Sequence, residues 1–211
     1  MKGSGIKRGA LIVFEGCDKA GKTTQCRKLV DKLRELGVTA QFMQFPDRST
    51  ATGKIINNYL TNKEELPDQA VHLLFSANRW ESQSKMRELL QEGVTLIVDR
   101  YSYSGVAYSA AKQNMNFEWC YKPEIGLPKP DLVFLLHVPM NFTHNRSGFG
   151  EERYEKMEFQ QIVLNNYMKM TDDTWKLIDT SRNIEEVHEE LLHQTRKTIE
   201  KACRTELQSL T

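Results

Sequence analysis

Residues Gly16-Cys-Asp-Lys-Ala-Gly21-Lys22-Thr23 follow the spacing G-x-x-x-x-G-K-[ST]. That pattern is built to hold phosphate: its glycines let backbone N–H groups curl around an anion, and a following helix adds the positive end of its dipole. Lys22 reaches the β and γ phosphates of a nucleoside triphosphate, and the Thr23 hydroxyl is placed for Mg²⁺. Gly16, Ala20, Gly21 and Thr24 complete the cradle on the triphosphate side. A second run, Thr95-Leu-Ile-Val-Asp99, ends on a carboxylate that is expected to emerge beside the loop and hold the same metal.

Three further strings set arginines beside aromatics: Phe45-Pro-Asp-Arg48, Phe75-Ser-Ala-Asn-Arg79-Trp80 and Asp99-Arg100-Tyr101. Phe75 and Arg79 are four apart and share one helical face, giving a flat apolar surface for a base and a donor fork for a base carbonyl. Arg48 and Arg100, each close after a predicted strand, are placed to clamp an acceptor phosphate at the C-terminal edge of a sheet. Other nucleotide and metal chemistries fit less well. A GTP switch needs N-K-x-D, and the nearest string, Asn62-Lys-Glu-Glu65, has the wrong acid. A zinc protease needs histidines four apart, whereas His188 and His193 are five apart.

The elements that must position these groups are legible as an alternation of short apolar runs with longer segments of helical period, the pattern of an α/β fold with a parallel sheet between helices. Strands are predicted over 10–15, 38–45, 94–99, 131–138 and 175–179, mostly continuously apolar, as buried parallel strands are. Cys26, Leu29, Val30, Leu33 and Leu36 mark a helix that begins near Gly21 and stops at Gly37. Further helices are predicted over 68–92, around Phe159 to Met170, and around Ile184 to Leu192. At 211 residues one domain suffices. Residues 1–8 read as a flexible leader, and 141–155, with Gly148 and Gly150 among Asn, Arg and Glu, as a lid. The glycosylation-like strings at Asn141 and Asn145 are expected to be chance matches.

Net charge is +1, from 29 basic and 28 acidic residues, so no global field draws the chain to nucleic acid or a membrane surface. The apolar runs fall far short of the ~20 residues of a membrane span. The N-terminal ten residues carry no secretory pattern, and the four cysteines lack disulfide or zinc spacing; a reducing, cytoplasmic setting with free thiols is expected, a nuclear or mitochondrial pool being compatible with it.

Taken together, residues 9–16, Phe45-Pro-Asp-Arg-Ser-Thr50, Leu73-Leu-Phe-Ser-Ala-Asn-Arg-Trp80, Val98-Asp-Arg-Tyr-Ser-Tyr-Ser-Gly105 and Gly126-Leu-Pro-Lys-Pro-Asp131 resemble the thymidylate kinase family of nucleoside monophosphate kinases, in its eukaryotic and poxviral branch. The resemblance covers residues 9 to about 182. It implies a P-loop NTPase-type three-layer fold with a five-stranded parallel sheet, ATP and dTMP as substrates, Mg²⁺ as cofactor, and a homodimer. It further implies that Phe75 stacks on thymine, Arg79 bonds its carbonyl, Arg48 and Arg100 hold the dTMP phosphate, and Asp18 touches the sugar hydroxyl. Phe45, Gly105, Tyr108, Tyr154 and Gln160 complete that pocket, while Arg182 and Arg146 flank adenine. Lys19 stands where the commonest eukaryotic form has arginine; charge is kept but the bidentate fork is lost. Lys22, Arg100, Lys19 and Arg146 are the expected catalytic cations, with Arg153 able to share their role.

The reaction so implied needs no catalytic base, because a phosphate monoester with a second pKa of about 6 is already a dianion near neutrality. Two alternatives are separable in principle. A deoxynucleoside kinase would need a carboxylate base in place of phosphate clamps. A nucleotide-dependent interaction switch would bind nucleotide with little monophosphate phosphorylation.

Overall fold

The structure is a computed structural model that describes residues 8–138, 153, 154 and 156–211. The expected lid segment, with Arg146, falls almost wholly outside these residues, as does the leader up to residue 7.

Five strands build one sheet: β1 (Leu11–Gly16), β2 (Ala40–Gln44), β3 (Thr95–Asp99), β4 (Leu132–His137) and β5 (Trp175–Asp179). Their order is β2-β3-β1-β4-β5 and every pairing is parallel. All five occur where apolar runs predict them, with ends within two residues of the expectation, β1 running one residue further to Gly16. The central strands are buried on both faces, which explains why they lack polar alternation, whereas edge strand β5 exposes Lys176, Leu177 and Asp179.

Alternate residues of each strand enter opposite layers. Ile12, Phe14, Ile97, Phe134 and Leu136 pack on helices α1 (Lys22–Glu35) and α7 (Ile184–Ala202). Leu11, Val13, Leu96, Val98, Val133 and Leu135 pack on α3 (Asp68–Gln91), α4 (Ser102–Ser109) and α6 (Met157–Met168). This is the three-layer arrangement, with the loop after β1 at the carboxyl edge of the sheet, where open α/β folds hold ligands.

Three helices lie beyond those read from the sequence. In α2 (Ala51–Leu60) the Thr50 side chain caps Gly53 N, and Gly53, Ile56, Tyr59 and Leu60 form one buried face, the last three against α3. In α4, Ser102, Tyr103, Gly105, Val106 and Ala107 are all buried, so no polar face marks the period. The five-residue α5 (Phe117–Tyr121) is capped by Asn116 and runs into a 3₁₀ turn, Lys122–Glu124.

Arg8 is a correction to the leader. It is 7 % exposed and donates from Nη1 and Nη2 to the Asp131 carboxylate at 2.8 and 2.6 Å, with Nε on the Thr205 carbonyl. Asp131 also accepts from Leu11 N, so Arg8 and Asp131 tie the foot of β1 to the foot of β4. Sequence gave Arg8 no visible partner, because Asp131 and Thr205 lie more than a hundred residues away.

Candidate active site

The loop between β1 and α1 is shaped by two glycines in the left-handed or otherwise positive-φ region. Gly16 has φ +134°, and a Cβ there would lie 2.2 Å from the Leu136 carbonyl oxygen of β4. Gly21, with φ 87°, precedes α1 and no side chain caps the helix, whose first turn carries no acid. The leading N–H groups of α1 are therefore available to an anion. Lys22 is buried and donates to the carbonyls of Gly16 (3.1 Å) and Cys17 (2.7 Å). Burial, reinforced by the Arg100 charge, pulls its ammonium down to about 8. Ala20 is buried, while Lys19, with φ 60°, and Thr24 are exposed.

Thr23 donates a short hydrogen bond to Asp99 Oδ2. Asp99 itself is 1 % exposed, and its Oδ1 has no hydrogen-bond partner among the described residues. A buried, half-satisfied carboxylate beside a hydroxyl is a donor set suited to a hard cation, so the residues fit a Mg²⁺ at this point. No cluster of three or more His, Cys, Asp or Glu exists among the described residues.

Next to the loop, one cavity enclosing about 760 Å³ of empty space, part of it open to solvent, is lined by nine of the ten residues expected around the acceptor: Asp18, Phe45, Arg48, Phe75, Arg79, Arg100, Gly105, Tyr108 and Tyr154. The tenth, Gln160, is buried behind Asp18. Its Nε2 donates to Asp18 Oδ2 at 2.7 Å and its Oε1 accepts from Asp18 N at 3.0 Å. Arg100 has φ 64° and spans the join of loop and cavity, donating to Asp18 Oδ1 (2.5 Å), the Gly16 carbonyl (3.1 Å) and Ser104 Oγ (3.2 Å) over the Tyr108 ring. Burial alone would raise the Asp18 carboxyl; the charges of Arg100 and Lys22, with bonds from Tyr108 and Gln160, outweigh it and hold Asp18 below the ordinary carboxylate range.

Arg48 lies on the turn after β2, donating to Asn57 of α2. That turn is held from α3: Asn78, fully buried, accepts from Asp47 N and donates to the Asp47 carbonyl and to Thr50. Phe75, half-buried, backs onto the Ile56, Tyr59 and Leu60 cluster. Arg79 is 2 % exposed and ion-paired with Glu124.

Two expected cations are engaged elsewhere in this structure. Arg182, expected toward adenine, follows β5, is exposed, and bonds Glu190 and the Asp179 carbonyl. Arg153 is turned from the phosphate loop to Glu65 and the Tyr59 carbonyl, stacking on the Tyr59 ring at 4.1 Å, because the α2–α3 connection offers it a carboxylate and an aromatic face. Three supporting residues had no sequence signal: Asn78, Glu124 and Glu15. Glu15 ends an apolar run, and its use as a buried acceptor for the start of α4 becomes visible only when β1 and β3 are paired.

A phosphate loop on a parallel sheet, a β3 acid against the loop threonine, and an arginine-lined cavity alongside define a P-loop phosphotransferase fold. Comparison with known proteins refines this. The family model for thymidylate kinase matches residues 14–191. The chain is 51 % identical over 188 residues to the thymidylate kinase of Danio rerio and 50 % identical over 188 residues to that of Homo sapiens, covering 88 % of this chain and 89 % of each relative. The solved thymidylate kinase of Candida albicans superposes with a TM-score of 0.88 at 38 % identity, covering 97 % of this chain and 99 % of that one. The chain belongs to the thymidylate kinase family.

Proposed function

We propose that this chain transfers the γ-phosphoryl group of ATP to dTMP, giving dTDP and ADP. The observation that carries the reading is the one cavity in which Phe75 and Arg79, suited to a pyrimidine, share walls with Arg48 and Arg100, suited to a phosphate, next to the Gly16–Thr23 loop. Membership of the thymidylate kinase family supports it.

In this reading the dTMP phosphate takes the guanidinium groups of Arg48 and Arg100, and its dianion is the nucleophile, so no side chain has to remove a proton. Lys22 exchanges its two loop carbonyls for ATP phosphate oxygens, and the α1 N–H groups complete the cradle. Thr23 and Asp99 are the residues that would hold Mg²⁺, which when bound offsets charge on the triphosphate oxygens. Lys19 and Arg146 complete the cation set across donor and acceptor, with Arg182 and Arg146 toward adenine. Asp18 holds Arg100 and, with Tyr108, faces the sugar. Catalysis then rests on bringing two polyanions together among fixed positive charges.

The reading extends to a homodimer, supported by the exposed Ile55 of α2 and Leu73 and Trp80 of α3, and to a cytoplasmic site of action, supported by four free thiols. Sedimentation of the purified chain tests the first, and imaging of a tagged chain the second.

The deciding experiment is ADP release with ATP and Mg²⁺ against a panel of nucleoside monophosphates and thymidine. Preferential turnover of dTMP is expected. Equal turnover of all monophosphates, or phosphorylation of thymidine in place of dTMP, overturns the reading.

A further inference from the structure

Arg79 is the largest fully buried side chain of the described residues by volume, and two of its five N–H donors are committed to a single carboxylate. Nε donates to Glu124 Oε2 at 2.7 Å and Nη2 donates a shorter bond to Oε1, a parallel two-bond fork. The remaining nitrogen, Nη1, takes no part in this fork, and Arg79 lines the cavity. Glu124 is 0 % exposed and lines no part of the cavity. It comes from the 3₁₀ turn after α5, and that turn is clamped to α3 on either side of Arg79: Ser76 Oγ and Trp80 Nε1 both donate to the Pro123 carbonyl, at 3.2 and 2.7 Å.

On the opposite side the guanidinium is pressed against Gly105 of α4. A Cβ at Gly105 would sit 2.4 Å from Nη2 and 3.1 Å from Cζ, so α4 offers bare backbone where the fork crosses it. Arg79 is thus fixed by a carboxylate behind, a clamped turn beside and a glycine in front. Stability does not account for this. Replacing a buried ion pair by apolar packing is often neutral or stabilising, so a pair kept here has its use in geometry.

The charge arrangement says what that geometry is for. Glu124 cancels the Arg79 charge inside the protein, so this part of the cavity presents a directed N–H with little net positive field. An anion seated there would face a carboxylate directly behind the guanidinium; a neutral ring bearing a carbonyl oxygen would not. Arginine has no acceptor atom. A fixed donor therefore welcomes a pyrimidine with a carbonyl at ring position 4 and opposes one with an amino group there, because donor would meet donor.

We propose that Glu124 is a positioning residue that locks the Arg79 guanidinium across Gly105, and that this lock sets selectivity for keto over amino pyrimidine monophosphates. The inference rests on the reading that Arg79 meets the base of dTMP. A guanidinium released from its fork can rotate, admit water and tolerate either group, so the selectivity falls faster than the activity.

The test is steady-state ADP release by the full chain, varying dTMP, dCMP and ATP separately, for the wild type, Glu124→Gln and Glu124→Asp. Glu124→Gln keeps the shape but can accept only one of the two donors; Glu124→Asp keeps the charge but retracts the carboxylate by one methylene. The expected result is at least a tenfold fall in the dTMP to dCMP ratio of kcat/KM for Glu124→Gln and a smaller fall for Glu124→Asp. The KM for dTMP should rise and the KM for ATP stay within about twofold. Should Glu124→Gln fail to fold by circular dichroism, Glu124→Asp decides. A wild-type ratio in each variant that folds, or an ATP KM moving as far as the dTMP KM, overturns the proposal. A wild type that does not phosphorylate dTMP would instead remove the functional reading beneath it.

Discussion

Glu15 offers the sharpest check on how the site is held. Its carboxylate is fully buried at the end of β1, and its two oxygens divide the work: Oε1 accepts from Tyr101 N (3.0 Å) and Ser104 N (3.1 Å), while Oε2 accepts from Ser104 Oγ (2.5 Å) and Tyr167 Oη (3.0 Å). These bonds fix the chain on both sides of Arg100. In Glu15→Ala the two hydroxyls, 2.8 Å apart, still have each other, but the two backbone N–H groups lose their acceptor. At about 1–3 kcal/mol for each unsatisfied buried donor, the loss is roughly 2–6 kcal/mol. For a chain of this size that corresponds to a melting temperature lower by roughly 5–20 °C. Glu15→Gln should be mild, about 1 kcal/mol or less, since its carbonyl can keep both N–H groups and its amide can donate to hydroxyls that rotate into acceptors. Burial raises the Glu15 carboxyl above its ordinary value even against the bonds from Ser104 and Tyr167 and the Arg100 charge. A carboxyl raised in the folded state contributes stability that is present at low pH and lost as pH rises through the folded value. Glu15→Gln lacks that loss, so its melting temperature should gain on the wild type as pH increases. Scanning calorimetry of the three proteins across pH measures all of this. An alanine variant melting within about 2 °C of wild type, or a glutamine variant as damaged as alanine, would refute the reasoning.

Three further outcomes follow from the same geometry. Lys22 titrates near 8 before ligand binds, and phosphate oxygens favour its charged form, so ATP binding near pH 8 should take up a proton; calorimetry in buffers of different ionisation enthalpy would show this uptake, and Lys22→Met should abolish it along with orders of magnitude in kcat. Gly53→Ala places a Cβ 1.8 Å from the Asp47 carbonyl oxygen and 2.9 Å from Arg48 Cα, so the Arg48 turn must move and the KM for dTMP should rise severalfold with the ATP KM unchanged in the same assay. Asp131→Ala removes the acceptor for Arg8 and Leu11 N, leaving a buried guanidinium unpaired at a cost of about 3–5 kcal/mol, which denaturant unfolding would register with little effect on KM.

What the sequence determined by itself was everything written locally. The loop from Gly16 to Thr23 needs its residues in consecutive order, and the strands announce themselves by apolar runs, because a parallel strand buried on both faces tolerates little else. Phe75 and Arg79 were readable as a pair since four residues on a helix bring side chains to one face. The tertiary structure alone decided which carboxylates stand behind the arginines. Glu124 lies 45 residues from Arg79, and Asp18 lies 82 residues from Arg100. It also decided that α4 is a helix: its residues are buried or half-buried on every side, so no solvent-exposed polar face records the turn. Hydrophobic periodicity reports how one element meets solvent. It carries no record of which distant polar group compensates a buried charge, and that compensation is what orients the guanidinium groups of this site.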